Sequence, residues 1–351
     1  MSDELRLAVV GVGRIGTFHA RHAAELAACD GSCRLAALVD PRRDLPALAS
    51  QLSSIQGSEV GAFPTLEALL EAETIDATVV ASPTALHREH AQALIAKGQR
   101  VLVEKPLTPS LAEDRAFAAE LDTHQPNALM LAFQRRFDAP LLHAKSLLDS
   151  GRIGRPFKFV SILEDSRLMP EGYESPGLLQ DMSVHNVDEV LWLSGKSPNR
   201  VKAQGSRLYT HRIAPVEEDF DDALLQLDFD GEAVAQIQVS RNHVAGYRVE
   251  TWIFGEEGVV HSGGFHQNSH EVVVEAYGRN EPIEIRTFPL RDYGTPVPEF
   301  IDRFGDAYAA ELHAFVRHGR DGTPFPVDHG DAVRAMAAID EGVRSMHSAA
   351  S

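Results

Sequence analysis

Leu5-Arg-Leu-Ala-Val-Val10-Gly11-Val-Gly13-Arg14-Ile15-Gly16 is the most informative segment of the chain. An apolar run of six residues ends in three glycines at GxGxxG spacing, and a helical pattern follows. Gly11 allows the tight turn, Gly13 lets the main chain approach a pyrophosphate, and Gly16 permits close strand–helix contact. The helix start offers unpaired N–H groups and a positive dipole to phosphates. Arg14 and Ile15, inside the motif, are taken with it as nucleotide-binding residues. A second apolar run, Arg34-Leu-Ala-Ala-Leu-Val-Asp40, ends on an acid 24 residues beyond Gly16. A carboxylate there bonds the adenosine ribose hydroxyls and repels a 2′-phosphate, which favours NAD. Arg42 follows closely, and an arginine at this place can hold that phosphate, so use of NADP stays open.

Working outward, short apolar runs recur at Leu5–Val10, Leu35–Val39, Ala77–Ala81, Val101–Val103 and Ala128–Ala132, with helix-like periodicity between them. Ser110-Leu-Ala-Glu113 has capping-box spacing and opens a helix over Leu111–Leu121. Fully apolar strands alternating with helices predict a doubly wound parallel sheet with right-handed crossovers. Beyond residue 133 the rhythm changes. Helical stretches at Pro140–Leu148 and Met182–Leu193 are followed by strand after strand from Val201 to about Ile285, and helices over Phe300–Val316 and Asp331–Met346 close the chain. The sequence thus predicts an α/β protein, with a Rossmann domain over 1–133 and an α+β domain with a mostly antiparallel sheet over 134–351.

Composition narrows the partners. There are 33 Lys+Arg against 51 Asp+Glu, a formal charge of −18, which argues against nucleic acid and against an anionic membrane surface. No apolar run reaches the length of a membrane span, and the first residues lack the basic start of a signal peptide. Two cysteines, Cys29 and Cys33, make neither a disulfide framework nor a zinc site. The expectation is a soluble, cytoplasmic protein.

Two further segments carry chemistry. Glu104-Lys105-Pro106 follows the strand ending at Val103, and loops at the carboxyl ends of such strands face the ligand crevice. Lys105 there is placed to touch a substrate hydroxyl and Glu104 to touch the nicotinamide side; a surface lysine before a proline turn is the plainer alternative. In Gly177-Leu-Leu-Gln-Asp181-Met-Ser-Val-His185, a helix puts Asp181 and His185, four apart, on one face. A carboxylate beside an imidazole holds its tautomer and raises its basicity, as a general base requires. An ordinary ion pair on a solvated helix is the alternative.

Taken in order, GxGxxG, acid, Glu-Lys-Pro and Asp-x3-His resemble the Gfo/Idh/MocA oxidoreductase family over nearly the whole chain. Ser82-Pro83-Thr84 with His87 looks like that family's nicotinamide-side loop. Phe133-Gln-Arg135-Arg136-Phe-Asp138 looks like the Arg-Arg-(Phe/Tyr)-Asp segment common in its inositol dehydrogenase branch, as does the late stretch Asp302 to Glu311. The resemblance implies a large open sheet that builds homodimers or homotetramers. It also implies hydride transfer between a secondary alcohol carbon of a cyclitol or sugar and nicotinamide, best matched by myo-inositol or a related inositol. On it Lys105, Asp181 and His185 form the catalytic set: His185 takes the hydroxyl proton, Asp181 orients it, and Lys105 holds the hydroxyl.

Departures bear on the substrate. Ser175-Pro176-Gly177 stands where many members have two glycines, and Asp165 falls near the place of an Arg-Asn-type contact in the inositol enzymes. Arg135, Asp165, Tyr173, Asn242, His243 and Tyr247 are the expected determinants of specificity. His261, His266 and His270 lie close together, but their segment reads as a turn between strands without a carboxylate at ligand spacing, and no metal is expected. Two rival functions share the fold: a glycoside hydrolase that uses bound NAD for transient oxidation, and a regulator that binds dinucleotide and sugar without catalysis.

Overall fold

The computed structural model describes residues 4–165, 177–207, 219–265 and 270–349. The chain divides into two units: one runs to Gln134 and also takes Tyr308–Val333, and the other comprises Arg135–Ala307 with the chain from Arg334 on. The break at 133 expected from the sequence therefore lacks the late return of Tyr308–Val333 to the first unit. That return is invisible in a pattern of local periodicity because it is made by side chains far apart in sequence.

In the first unit, β1 (Leu5–Val10), β2 (Cys33–Val39), β3 (Gly61–Phe63), β4 (Ala77–Val80), β5 (Arg100–Val103) and β6 (Leu129–Leu131) form one sheet in the order β3-β2-β1-β4-β5-β6. All its pairings are parallel. The interior strands are buried on both faces: every residue of β4 and β6 is buried, as a sheet covered by helices on both sides demands. The three-residue β3 was not foreseen; Gly-Ala-Phe is too short to show a period. The helices are α1 (Arg14–Asp30), α2 (Leu45–Gln56), α3 (Leu66–Ala72), α4 (His87–Ile95) and α5 (Leu111–His124). α5 starts at the foreseen cap, where the Ser110 hydroxyl accepts from Glu113 N–H at 3.3 Å. Strand order reverses between β1 and β4, and in such sheets ligands bind outside the carboxyl ends of the strands at that reversal.

In the second unit, β7 (Pro156–Glu164), β8 (Arg200–Ser206), β9 (Asp222–Phe229), β10 (Ala233–Ser240), β11 (Arg248–Gly255), β12 (Gly258–Phe265), β13 (Glu271–Gly278) and β14 (Pro282–Pro289) form an eight-stranded sheet, β14-β13-β12-β11-β7-β10-β9-β8. Among the described residues of this sheet, only β7 and β10 pair in parallel. Alternation decides its faces: Ala223, Leu225, Leu227 and Phe229 of β9 are buried, whereas Leu224 between them is 54% exposed. Helices α6 (Ala139–Asp149) and α7 (Val184–Ser194) pack on this sheet. The last two helices, α8 (Glu299–Asp321) and α9 (His329–Ala349), each contribute to both units. His261 lies inside β12, paired with Trp252 and Glu275, so the expected turn around it is corrected to a strand. Among the described residues, no helix is long and apolar enough to cross a membrane.

Candidate active site

The glycine motif behaves as its spacing requires. Gly11 turns with φ of +84°, and a Cβ there would stand 2.4 Å from the Ser82 nitrogen. A Cβ on Gly16 would stand 1.9 Å from the Gly11 carbonyl oxygen. Both glycines are therefore demanded by main-chain contacts. At Gly13, by contrast, nothing lies within 4 Å of a built Cβ. No side chain caps the start of α1 at Gly13, and its first turn holds no acid. This is an open cradle of main-chain N–H groups, the donor set that a pyrophosphate fits.

Asp40, at the carboxyl end of β2, accepts from the Val12 N–H at 2.7 Å and from the Arg42 N–H at 3.0 Å. The Arg42 guanidinium is spent elsewhere: it donates to both Asp44 oxygens at 2.6 Å and to the Val12 carbonyl at 2.9 Å. Arg14 is exposed and Ile15 half-buried on the first turn of α1.

The Glu-Lys-Pro turn is tied from two sides. Glu104, 7% exposed, meets His19 Nε2 of α1 at 2.8 Å with one oxygen, and its other oxygen accepts from the Lys105 N–H at 3.2 Å. From the other side comes His87, the first residue of α4. Its Nδ1 lies 2.9 Å from the Pro106 carbonyl and its Nε2 lies 2.8 Å from the Ser82 carbonyl. His87, expected as a neighbour of the cofactor, thus aims both ring nitrogens at main-chain oxygens. Ser82 itself, just past β4, pairs its hydroxyl with His90 Nδ1 at 3.0 Å. Pro83 leads into a short 3-10 turn over Thr84–Leu86.

Sequence reasoning did not single out His19 or assign a role to Glu311. Glu311 of α8 is fully buried, and neither carboxyl oxygen has a hydrogen-bond partner. Burial pushes its carboxyl well above the ordinary 4.5, and the Glu104 charge adds to the rise. Tyr308, one turn earlier, sets its ring edge-on to His19 at 5.7 Å. The spacing of Tyr308 and Glu311 on an amphipathic helix was the available signal.

In the second unit, the segment carrying Asp181 and His185 is not a uniform α-helix. Leu179–Ser183 forms a π-helical turn that runs into α7. Such wide turns concentrate at functional sites, and here Asp181 falls on the π turn and His185 on the first turn of α7. Arg241, 3% exposed, brings Nη2 to 3.9 Å from Asp181 and donates through Nη1 to Asp219 at 2.6 Å. Asp219 also accepts from the Leu178 and Phe220 N–H groups, at 2.7 and 2.8 Å. Arg241 and Asp219 thus anchor the entry to the helix; both were missed, because their partners lie dozens of residues away.

The rest of α7 is fastened by buried charge. Glu189 takes Arg135 at 2.9 Å, Ser161 at 2.9 Å and Thr251 at 2.6 Å, while Asp188 takes Arg136 at 2.5 and 2.9 Å. Arg135 is 2% exposed and fastens α7 through Nη1, while its Nε and Nη2 have no hydrogen-bond partner among the described residues. Asp165 continues from β7, exchanging main-chain bonds with Ser240 and His243. Tyr247 is half-buried, and burial raises its phenol above the ordinary 10, with Arg135, Asp165, Arg303 and Glu299 as its charged neighbours. It lines a shallow, open cleft of about 70 Å³ within this unit, together with Glu299, Asp302 and Arg303. Arg303 is held by both Asp138 oxygens at 2.8 Å. Tyr173 lies outside the described residues.

A parallel sheet with a glycine cradle at its strand-order reversal, joined to an open antiparallel sheet, defines a class of two-domain nucleotide-dependent oxidoreductases. Comparison with known proteins narrows this. The model of the oxidoreductase family with an NAD-binding Rossmann fold matches residues 5–132, and that of the GFO/IDH/MocA C-terminal domain matches residues 141–261. The inositol 2-dehydrogenase of Streptomyces avermitilis is 30% identical over 346 residues, covering 98% of this chain and 93% of the relative. The scyllo-inositol 2-dehydrogenase (NAD(+)) of Bacillus subtilis is 29% identical, covering 99% of this chain and 95% of the relative. Among solved structures, the myo-inositol dehydrogenase of Corynebacterium glutamicum superposes with a TM-score of 0.80 at 25% identity, over 99% of this chain and 97% of that one. The chain belongs to the Gfo/Idh/MocA family and is an NAD-dependent oxidoreductase.

Proposed function

We propose that the protein is a cyclitol dehydrogenase that oxidises one secondary hydroxyl of an inositol, myo-inositol or a close isomer, to the ketone. The observation that carries this reading is the presence of Lys105, Asp181 and His185 in a chain that aligns end to end with inositol 2-dehydrogenases. An alcohol carbon that gives up hydride becomes a carbonyl only if the hydroxyl proton also leaves, so the site needs a base and a donor. His185 accepts that proton, Asp181 orients the imidazole and supports its charge, and Lys105 holds the hydroxyl oxygen and stabilises the negative charge that develops on it.

NAD supplies the hydride acceptor when bound. Gly11, Gly13, Arg14, Ile15 and Gly16 would hold its pyrophosphate region, with Asp40 on the adenosine ribose, and Ser82, Pro83, Thr84 and Glu104 on the nicotinamide side. Asp40 keeps acceptor capacity beyond its two main-chain bonds. The carboxylate of Asp40 at the ribose position supports NAD, while Arg42, paired with Asp44, and the exposed Arg43 keep NADP open. On the substrate side, Asp165 and Tyr247 are the candidates for hydroxyl contacts. A neutral polyol also suits a chain of net charge −18 better than a phosphorylated one. Assembly into a homodimer or homotetramer through the uncovered sheet face, and a cytoplasmic location, belong to the same reading.

Incubating the protein with NAD and a panel of inositols and aldoses tests it. NADH should accumulate with at least one inositol and vanish in Lys105→Ala and His185→Ala. Turnover of a glycoside without net NADH would instead establish the hydrolase.

A further inference from the structure

Both ring nitrogens of His87 face oxygens that can only accept hydrogen bonds: the Ser82 carbonyl at 2.8 Å and the Pro106 carbonyl at 2.9 Å. One carbonyl belongs to the loop after β4, the other to the turn that follows Lys105. The side chain is 2% exposed, so water does not stand in for either bond. We propose that His87 is a positioning residue that ties the Ser82-Pro83-Thr84 loop to the Lys105-Pro106 turn, setting the spacing between the groups that receive nicotinamide and the lysine that holds the alcohol. The proposal rests on the reading above for the roles of those groups.

The chemistry of imidazole gives the tie two states. A ring protonated on both nitrogens donates to both carbonyls; a neutral ring donates to one and turns a lone pair toward the other. Burial pushes His87 below its ordinary 6.5, while the two carbonyls and the Glu104 charge pull the other way. The titratable groups on the elements around it are Glu104 and Lys105 in the turn after β5 and, on its own helix, His90, which binds the Ser82 hydroxyl. The tie is therefore double where the ring is protonated, which burial confines to pH below the ordinary 6.5, and single above it. Glu104, which meets His19 of α1, holds the same turn from the other side. Lys105 thus sits between two fastenings from different helices.

Two measurements test this, one of them independent of catalysis. Hydrogen exchange of the amides over 82–84 and 104–107 should speed up together in His87→Ala relative to the wild-type chain. His87→Gln, which restores one donor without titrating, should recover part of that protection. In steady-state kinetics, His87→Ala should raise KM for NAD and lower kcat by about 10- to 100-fold in combination, the scale of a displacement of roughly 1 Å. His87→Gln should lie between it and the wild type and should lose the wild-type change in KM as pH falls below the ordinary 6.5. Exchange in the two segments that is unchanged, or altered in only one of them, would overturn the proposal. So would variants whose only defect is a lower Tm, with KM and kcat per folded molecule intact. If the wild-type chain binds NAD but oxidises no polyol, the functional reading fails, while the exchange data still decide the role of His87.

Discussion

Around Lys105 the fastenings are imidazoles set against main-chain oxygens and a single carboxylate, whereas around His185 they are buried ion pairs. In the nucleotide unit, Glu104 meets His19, and His87 reaches two carbonyls. In the substrate unit, Arg135–Glu189, Arg136–Asp188 and Arg303–Asp138 hold α7 and its surroundings. The difference follows from what each unit must present. A pyrophosphate is met by main-chain N–H groups, so loops there are positioned by hydrogen bonds to the main chain. A helix that carries the proposed base must be held at a set angle to the sheet, and charge pairs deep under it hold it at the cost of two desolvations.

Breaking either end of the proposed catalytic set should have the largest effect. Lys105→Ala and His185→Ala should each lower kcat by roughly 10²–10⁴-fold, the usual reach of general acid–base catalysis, with the fold retained by circular dichroism. Next comes Arg135→Leu, which strands Glu189 as a buried charge. Loss of about 3–5 kcal/mol in urea unfolding is expected, while Glu104→Gln in the other unit should cost far less. A value near zero for Arg135→Leu would erase the contrast between the units.

Acid sharpens the comparison further. His261 stacked on Trp252, with Arg248 and the indole N–H, holds the Glu250 carboxyl down to about 2 from the ordinary 4.5. Its stabilising contribution is complete above 4.5 and is lost as pH falls toward about 2. Glu250→Gln should therefore lower Tm at neutral pH and flatten the acid limb. Glu311, in the nucleotide unit, has the opposite sign. Its raised carboxyl favours the folded state on the acid side, and stability is lost as pH rises above 4.5. Glu311→Gln should raise Tm at neutral pH, and an unchanged Tm would remove the argument from burial. The smallest effect is expected at the ribose: Asp40→Ala should raise KM for NAD about tenfold, the scale of one or two hydrogen bonds to a charged group, and narrow the preference over NADP.

Legibility differed between the units for the same reason. Gly11, Gly16 and Asp40 act through main-chain geometry within one βαβ unit, so their spacing carries their meaning. The capping residue Ser110 is legible likewise, since a cap is a contact three residues long. Arg135 was legible only as part of a motif; its bond to Glu189, 54 residues away, was not. Arg241, Asp219 and His19 gave no local signal at all.

Periodicity, glycine spacing and motif order were enough for the fold class, the nucleotide motif and the family, because each is written in the local pattern of the chain even where the strands it predicts pair far apart in sequence. Only the tertiary structure decided that His87 bridges two loops, that α7 begins in a π turn beneath Arg241, and that Tyr308–Val333 joins the first unit. Those outcomes depend on which buried polar groups find partners, and partners distant in sequence leave no periodic trace.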